Sequence, residues 1–145
     1  MSIMNNIIIR KLEKTDYNKN YLQLLEQLTV VSDKIISYDD FCKKFDNINS
    51  EIYVIEYDNK IIATASILFE EKFIHNLGKV AHIEDVVIDI KYRRNGLGKK
   101  LMNFLIELAK NNKCYKIILN CYEQYTKFYK SVGFDWKCLT MTYYF

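Results

Sequence analysis

The stretch that decides the fold spans residues 80–108 and reads VAHIEDVVIDIKYRRNGLGKKLMNFLIEL. Its apolar opening predicts a strand over residues 80–88, and leucines spaced i, i+4 and i+7 after Gly98 predict an amphipathic helix. A short basic turn with two glycines lies between them. Backbone N–H groups at the positive end of a helix dipole form a concave site that suits a pyrophosphate. This stretch therefore predicts a strand, an anion-binding turn and a helix in succession.

Length and composition predict one globular domain, residues 1–145. Of these 145 residues 50% are hydrophobic and 27% are charged, which is typical of a folded chain rather than a disordered one. Twenty-one basic and eighteen acidic residues leave a formal net charge of only +3. So weak a balance, spread along the chain, does not predict a nucleic-acid partner.

The cysteines and the first residues bear on metal, redox state and membrane. No two cysteines form a C-x-x-C pair and none has a histidine at ligand spacing, so we expect neither a metal site nor a disulfide framework. Reduced thiols in a cytoplasmic protein are the expectation for Cys42, Cys114, Cys121 and Cys138. The apolar triplet at residues 7–9 is too short for a signal peptide or a membrane span.

Periodicity along the rest of the chain predicts a mixed α/β domain. Phe134 begins a run without a breaker that should be a last strand, residues 134–145. The other expected elements are a strand at 7–11, a helix capped by Thr15 or Asp16 with Leu22, Leu25 and Leu28 on one face, a helix from Ser37, a hairpin of 51–57 and 61–69, a strand at 116–121 and a helix at 124–131. Strands and helices that mix without strict alternation predict a mixed sheet with helices on both faces.

The basic turn has the spacing R-x-x-G-x-G. It is not a Walker loop, because Gly98 is followed by Lys99 and Lys100 and no hydroxyl is present for magnesium. It is not a dinucleotide fingerprint either, because Leu101 stands where the third glycine belongs. A glycine turn of this kind also occurs in ordinary surface loops, but the strand before it and the helix after it favour phosphate binding. The residues concerned are Arg93, Arg94, Asn95, Gly96, Leu97 and Gly98.

Glu84 and Asp85 form a second candidate site. In a strand of period two, Asp85 shares a face with Ile83 and Val87, so at least one carboxylate should lie on a covered face. Because a buried carboxylate is costly unless it is paired, we favour a functional site over a strand end at which both acids reach solvent or a lysine.

Tyr129, in the run KFYK, is a third candidate. The competing interpretation is packing, since the chain has 12 tyrosines. His75 and His82 are better explained as surface or core residues than as catalytic bases, because neither has an acidic neighbour in sequence to orient it.

Several runs in order resemble one enzyme family. They read HIEDVVI at 82–88, GLGK at 96–99, CYKIIL-x-C at 114–121 and KFY-x-x-x-GF at 127–134, with KFIH at 72–75 and IRK at 9–11. They are similar to the glucosamine 6-phosphate N-acetyltransferases of the GNAT superfamily, over nearly the whole chain. The resemblance implies the GNAT acyl-CoA N-acyltransferase fold, with a mixed, mostly antiparallel sheet.

The resemblance also implies how acetyl-CoA, the co-substrate, binds. Its pantetheine arm would lie against the backbone of Val86, Val87 and Ile88, and its pyrophosphate on residues 93–98. The Val86 N–H would face the thioester oxygen, and Tyr129 would hydrogen-bond the departing thiolate. Tyr125 stands where the family commonly has an asparagine that contacts the CoA arm.

For the acceptor, the resemblance implies acetylation of glucosamine 6-phosphate by direct attack, for UDP-N-acetylglucosamine synthesis. Asn120 stands where the family usually has an acid, and Tyr144 where some members have an arginine. The positions implied around the sugar and its phosphate are Thr29, Lys72, Phe73, Ile74, His75, Glu84, Asp85 and Asn120. The family forms an intertwined homodimer through its last strand, and a terminal run as apolar as LTMTYYF (139–145) would otherwise be an aggregation liability.

Two other functions stay open on the sequence. Asn120 leaves room for another amine, such as a polyamine or a protein N-terminus. A non-catalytic acyl-CoA-binding module is the second, although such a module needs only the phosphate turn and not Glu84, Asp85 or Tyr129.

Overall fold

A computed structural model describes residues 7–145 and contains a five-stranded sheet of order β1-β2-β3-β4-β5. The strands are β1 (Ile8–Lys11), β2 (Glu51–Tyr57), β3 (Lys60–Glu71), β4 (Lys79–Ile88) and β5 (Cys114–Leu119). The first three pairings are antiparallel and β4 pairs with β5 in parallel. The expected mixed, mostly antiparallel sheet is therefore confirmed, and the strand of the opening stretch is its fourth strand.

Helices connect these strands. They are α1 (Tyr21–Leu25), α2 (Tyr38–Asn47), the single turn α3 (Ile74–Leu77), α4 (Leu97–Asn111) and α5 (Thr126–Ser131), with 3-10 turns at Lys14–Asn18, Ile90–Tyr92 and Glu123–Tyr125. The cap predicted at Ser37 is present, because its hydroxyl oxygen accepts the Asp40 N–H at 3.1 Å. Satisfying an otherwise free amide at this end fixes where α2 begins.

The helices cover both faces of the sheet. Leu101 and Leu105 of α4 are fully buried in a cluster that includes Ile83 on β4. A second cluster, which includes Leu24 of α1 and Phe41 of α2, covers the opposite face. Burying an apolar stripe of each helix on the sheet is the main stabilising term of such a layered fold, and the predicted arrangement is confirmed.

The first helical region differs from the prediction. A 3-10 turn comes first, capped by Glu13 rather than by Thr15 or Asp16. The helix proper is only five residues long, and the leucine that it buries completely is Leu24, whereas Leu28 is 43% exposed. Because α1 ends at Leu25, Leu28 lies beyond the helix and cannot belong to its buried face.

The predicted last strand is wrong within this chain. Residues 134–145 form no strand, and large apolar side chains such as Leu139, Met141 and Tyr144 are more than four-fifths exposed. A strand needs a neighbour to pair with its backbone groups, and no strand of the described chain pairs with this run. High strand propensity alone therefore does not fold it.

A buried ion network joins β1, β2 and the first 3-10 turn. The Asp16 side chain is fully buried and accepts hydrogen bonds from Arg10 Nη1 at 2.8 Å, Arg10 Nη2 at 2.7 Å and the Glu13 N–H at 2.8 Å. Glu56 pairs with Arg10 and accepts from Lys19 Nζ at 2.8 Å. Every charge in this network has a partner, which offsets the cost of removing it from water.

We expect Asp16→Asn to lower the free energy of unfolding by about 3 kcal/mol, because it leaves the Arg10 guanidinium short of a buried partner. Burial disfavours the Asp16 carboxylate, but hydrogen bonds from Arg10 and the Glu13 N–H outweigh it and hold the pKa below its usual 3.8. Hydrogen bonds from Lys19 and Arg10 likewise hold the pKa of Glu56 below 4.5.

A carboxyl whose folded pKa is depressed stabilises the fold above its unfolded value, and this stability is lost as pH falls through the folded pKa. The free energy of unfolding, measured with urea from pH 7 to pH 2, should therefore decline below about pH 4. This decline should be shallower in Asp16→Asn than in the wild type. Asp46→Asn, which removes an exposed pair with Lys14, is the control and should cost under about 0.5 kcal/mol. Identical pH slopes in Asp16→Asn and wild type would contradict this role for the network.

Candidate active site

A β-bulge at Asp85 shapes the middle of β4. Ser66 lies opposite Glu84 and Thr64 lies opposite Val87, so β4 holds one residue more than β3 over this interval. Asp85 has a φ of 52°, a left-handed conformation uncommon for a residue with a side chain. Beyond the bulge, each side chain of β4 therefore points to the face opposite to the one that uninterrupted alternation predicts.

The predicted face for Asp85 is therefore wrong. Ile83 packs in the cluster beneath α4, whereas Val87 packs in the cluster on the opposite face. Both Glu84 and Asp85 are exposed in the chain, so the expectation that one carboxylate is covered is also wrong. Exposure leaves both acids available to a ligand.

β4 and β5 separate at the bulge. Their ladder ends where Ile83 lies opposite Leu119, but β4 continues to Ile88 while still paired with β3. Beyond Ile83, no described strand pairs with the β5 side of β4. An unpaired strand edge can accept an extended ligand through main-chain hydrogen bonds, and the residues at this edge are Val86, Val87 and Ile88.

The basic turn begins directly after this edge. Arg93 Nε donates to the Ile88 carbonyl oxygen at 2.9 Å, which folds the turn back onto the end of β4. Asn95 Nδ2 donates to the Tyr92 carbonyl oxygen at 3.1 Å. Arg94 and Gly96 both have left-handed φ values, 65° and 77°. These two left-handed residues reverse the backbone between the end of β4 and the start of α4.

The start of α4 presents free amide donors. Its first backbone hydrogen bond runs from the Lys100 N–H to the Gly96 carbonyl oxygen at 3.0 Å. The N–H groups of Leu97, Gly98 and Lys99 precede that bond and have no intrahelical acceptor. Together with the helix dipole and the exposed Arg93, they fit the pyrophosphate of an acyl-CoA.

Gly98 is the point at which three elements meet. A Cβ atom on Gly98 would lie 3.1 Å from Phe128 Cζ and 3.6 Å from Ile88 Cγ1. The absence of a side chain therefore lets α5 and the end of β4 approach the start of α4. This contact places the helix that carries Tyr129 beside the basic turn.

Tyr129 packs among aromatic rings. Its ring centroid lies 5.0 Å from that of Phe128 and 6.1 Å from that of Phe134. Burial, with smaller effects of Cys121 and Tyr125, raises the pKa of Tyr129 to about 12. The phenol therefore remains a neutral O–H donor at neutral pH. Tyr125, in the 3-10 turn before α5, is 45% exposed.

The connection between β3 and β4 carries the predicted phosphate-side residues. His75, Asn76 and Leu77 have φ values of 51°, 57° and 58°, a left-handed turn that costs roughly 1–2 kcal/mol per residue. Phe73 and Ile74 are largely exposed beside it. We call these residues, 73–77, the left-handed turn.

A chain of side-chain contacts links Lys72 to His82 on β4. Glu70 forms an ion pair with Lys72 and also lies 2.8 Å, through Oε2, from His82 Nε2. His82 and Glu84 are two residues apart on the same side of the bulge, or roughly 7 Å along the strand. This chain of contacts from Lys72 ends at His82, and no hydrogen bond within residues 7–145 continues it to Glu84.

The orientation of His82 by Glu70 is a feature that sequence reasoning missed. We expected no acid to orient this histidine, because none lies beside it in sequence. The partner is instead 12 residues away across the β3–β4 pair, in which Leu68 is opposite His82. A proposed register for that pair would have revealed the contact.

Thr29 and Asn120 are two further residues predicted on the acceptor side. Thr29 follows α1, is exposed, and donates its N–H to the Leu25 carbonyl oxygen at 3.2 Å. Asn120 follows β5, and its Oδ1 accepts the Thr140 hydroxyl at 2.8 Å. No hydrogen bond within residues 7–145 joins either to Glu84, so their roles stay predictions.

Two features are absent from the described part of the chain, residues 7–145. It has no helix that combines the length and apolarity needed to cross a bilayer. It also has no group of three or more His, Cys, Asp or Glu side chains placed to hold a metal ion.

Known proteins with similar sequences are acetyltransferases. The model of the Acetyltransferase (GNAT) family matches residues 10–134. Glucosamine 6-phosphate N-acetyltransferase from Arabidopsis thaliana is 42% identical, over 94% of this chain and 95% of its own length. Glucosamine 6-phosphate N-acetyltransferase 1 from Dictyostelium discoideum is 37% identical, over 97% of this chain and 92% of its own.

Solved structures agree with the sequence matches. The crystal structure of the Arabidopsis thaliana glucosamine-6-phosphate N-acetyltransferase superposes with a TM-score of 0.92 at 40% identity, over 97% of this chain and 99% of that one. An acetyltransferase from Trypanosoma brucei superposes with a TM-score of 0.85 at 30% identity, over 97% of this chain and 100% of that one. The expected fold is confirmed, and the chain belongs to the glucosamine 6-phosphate N-acetyltransferase family within the GNAT acetyltransferases.

Proposed function

We propose that this chain transfers the acetyl group of acetyl-CoA to the amine of glucosamine 6-phosphate, giving N-acetylglucosamine 6-phosphate and CoA. The observation that carries the proposal is the unpaired end of β4 leading directly into the free amides of α4. Relatives that bear the name of this activity align over nearly the whole chain. We further propose that residues 1–145 act as one domain in the cytoplasm, and that the product serves UDP-N-acetylglucosamine synthesis.

On the donor side, the backbone of Val86, Val87 and Ile88 binds the pantetheine arm as an added strand would. The amides at the start of α4 bind the pyrophosphate, and Arg93 and Arg94 supply the neutralising charge. Tyr125 is exposed at the start of the neighbouring helical segment and contacts the arm.

On the acceptor side, Glu84 and Asp85 hold the sugar next to the thioester. Both carboxylates are exposed and can pair with an ammonium group. Lys72 and His75 attract the phosphate. The remaining acceptor contacts that we propose are Thr29, Phe73, Ile74 and Asn120.

The reaction needs no covalent enzyme intermediate. After the ammonium loses a proton to water, the amine lone pair forms the C–N bond and the carbonyl electrons move onto oxygen, where the Val86 N–H donates to the developing charge. Collapse breaks the C–S bond, and the neutral Tyr129 hydroxyl donates to the departing thiolate. The second amine proton leaves through water or a backbone carbonyl. Holding both substrates in one site supplies much of the rate by orientation.

The proposal is tested by following free thiol while the protein is incubated with acetyl-CoA and one amine at a time. We expect kcat/KM for glucosamine 6-phosphate to exceed that for glucosamine by about 100-fold or more, because a desolvated phosphate contact is worth several kcal/mol. Spermidine and a peptide with a free N-terminus should be poorer still. If glucosamine 6-phosphate is not acetylated and another amine is, that amine is the acceptor and the proposal is wrong. If no amine is acetylated, a non-catalytic acyl-CoA-binding module is favoured.

We also propose that the protein is an intertwined homodimer. Leu139, Met141 and Tyr143 expose apolar surface in a run that pairs with no strand among residues 7–145, and one edge of β5 carries no described partner. A second copy could bury both. Sedimentation velocity should give twice the 17.3-kDa chain mass, and removing residues 137–145 should give monomers. An active wild-type monomer would contradict the dimer.

A further inference from the structure

The left-handed turn has an external support. The His75 ring stacks on the Tyr115 ring, with centroids 4.2 Å apart and an angle of 30° between the planes. Three consecutive residues with positive φ are strained for side-chain-bearing amino acids, and such a turn persists only where its surroundings hold it. Within the turn itself the backbone bonds are few, among them the Gly78 N–H to the Ile74 carbonyl oxygen at 3.1 Å.

Tyr115 is aimed at the turn by a second bulge. In the parallel β4–β5 ladder, Lys79 lies opposite Cys114 but Val80 lies opposite Lys116. Tyr115 is therefore the extra residue of β5. A bulge re-aims the side chain of its extra residue, and here the ring points at the connection that precedes β4.

Gly78 is the surface against which that ring packs. A Cβ atom on Gly78 would lie 2.8 Å from Tyr115 Cδ1 and 2.9 Å from the His75 carbonyl oxygen, which is closer than real Cβ atoms come. The φ of Gly78 is −75°, a value that any residue adopts. The glycine is needed for the approach of the ring and not for its own backbone angle.

We propose that Tyr115 is a positioning residue for acceptor binding, an inference that rests on the proposed function. Its ring, lodged between Gly78 and His75, holds the left-handed turn in the shape in which His75 meets the phosphate end of the acceptor. A turn that is already ordered does not have to be ordered when the ligand binds. Tyr115 itself does not touch the reacting atoms.

The test is steady-state kinetics of the full-length chain with each substrate varied in turn. Tyr115→Ala should raise the KM for glucosamine 6-phosphate roughly 10-fold, the loss expected when a binding element is disordered, with kcat and the KM for acetyl-CoA within about twofold of wild type. Tyr115→Phe keeps the ring and should restore the wild-type KM. Tyr38→Ala removes a tyrosine of similar exposure on α2, 44% against 37% for Tyr115, and should leave both KM values unchanged.

Several outcomes overturn the proposal. One is an unchanged KM for glucosamine 6-phosphate in a folded Tyr115→Ala, and another is failure of Tyr115→Phe to restore it. If Tyr115→Ala does not fold, Tyr115→Leu keeps apolar bulk against Gly78 without a stacking face, and it must show the same selective rise. Inactivity of the wild type on glucosamine 6-phosphate would instead reject the proposed function, and the positioning role with it, before any variant is measured.

Discussion

Replacing Tyr129 with phenylalanine is expected to lower kcat by about 100-fold, the loss typical of a removed proton donor, while the affinity for acetyl-CoA changes little. The ring packing against Phe128 and Phe134 is retained in the variant, so the site keeps its shape. Only the O–H that we propose as donor to the departing thiolate is lost. Burial raises the pKa of Tyr129 to about 12, so the phenol stays protonated below pH 10. Any fall in wild-type activity between neutral pH and pH 10 therefore comes from another group and should also occur in the variant.

Stopped-flow or steady-state thiol release measures kcat, and titration calorimetry measures the affinity. Tyr122→Phe is the matched control, because Tyr122 loses the same hydroxyl from an exposed position upstream of α5 and should turn over normally. Turnover of Tyr129→Phe equal to that of wild type would remove Tyr129 from the mechanism.

Gly96→Val should weaken acetyl-CoA binding by at least about 10-fold. Gly96 caps α4 with φ 77° and ψ 3°, a conformation that a β-branched residue adopts only under strain. Relief of that strain moves the first amides of α4 away from the position in which they can converge on a pyrophosphate. The effect should appear in the acetyl-CoA affinity measured by calorimetry, and much less in the KM for glucosamine 6-phosphate.

Gly133→Val separates strain from ligand binding. Gly133 also has a left-handed φ, 97°, but a Cβ there has open space around it and the residue lies after α5. Both variants should lose thermal stability, and only Gly96→Val should lose acetyl-CoA affinity. If Gly96→Val and Gly133→Val bind acetyl-CoA with equal affinity, the turn before α4 does not hold the acetyl donor.

Much of the fold was predictable because its signals are local. The strand, the glycine turn and the helix of residues 80–108 follow one another with their own propensities and spacing, and so do the β2–β3 hairpin and the Ser37 cap. The glycine turn before α4 was predictable for the same reason, since its glycine positions in the sequence determine it directly.

The bulge at Asp85 was not predictable from alternation. An alternating pattern predicts the face of each side chain only if every residue of the strand is fully extended. Asp85, with its positive φ, is not extended, and the hydrophobic pattern before it carries no sign of this. Both acids consequently reach solvent, which the uninterrupted pattern could not indicate. The bulge also ends the alignment of β4 with β5 and so opens the proposed donor site.

Contacts that depend on partners distant in sequence were missed as well. The Glu70–His82 contact and the His75–Tyr115 stack join positions 12 and 40 residues apart, which single-sequence patterns do not relate. The terminal run at 134–145 has the composition of a strand, but pairing requires a neighbour that the described part of the chain does not supply. Propensity therefore predicted a strand where the single chain has none.

The most direct test of the account is a crystal structure of the protein grown with CoA and glucosamine 6-phosphate. We predict the pyrophosphate on the amides of Leu97 and Gly98, the pantetheine arm along the unpaired edge of β4, and the sugar amine beside Glu84. CoA bound anywhere other than the β4 edge and this turn would contradict the central claim.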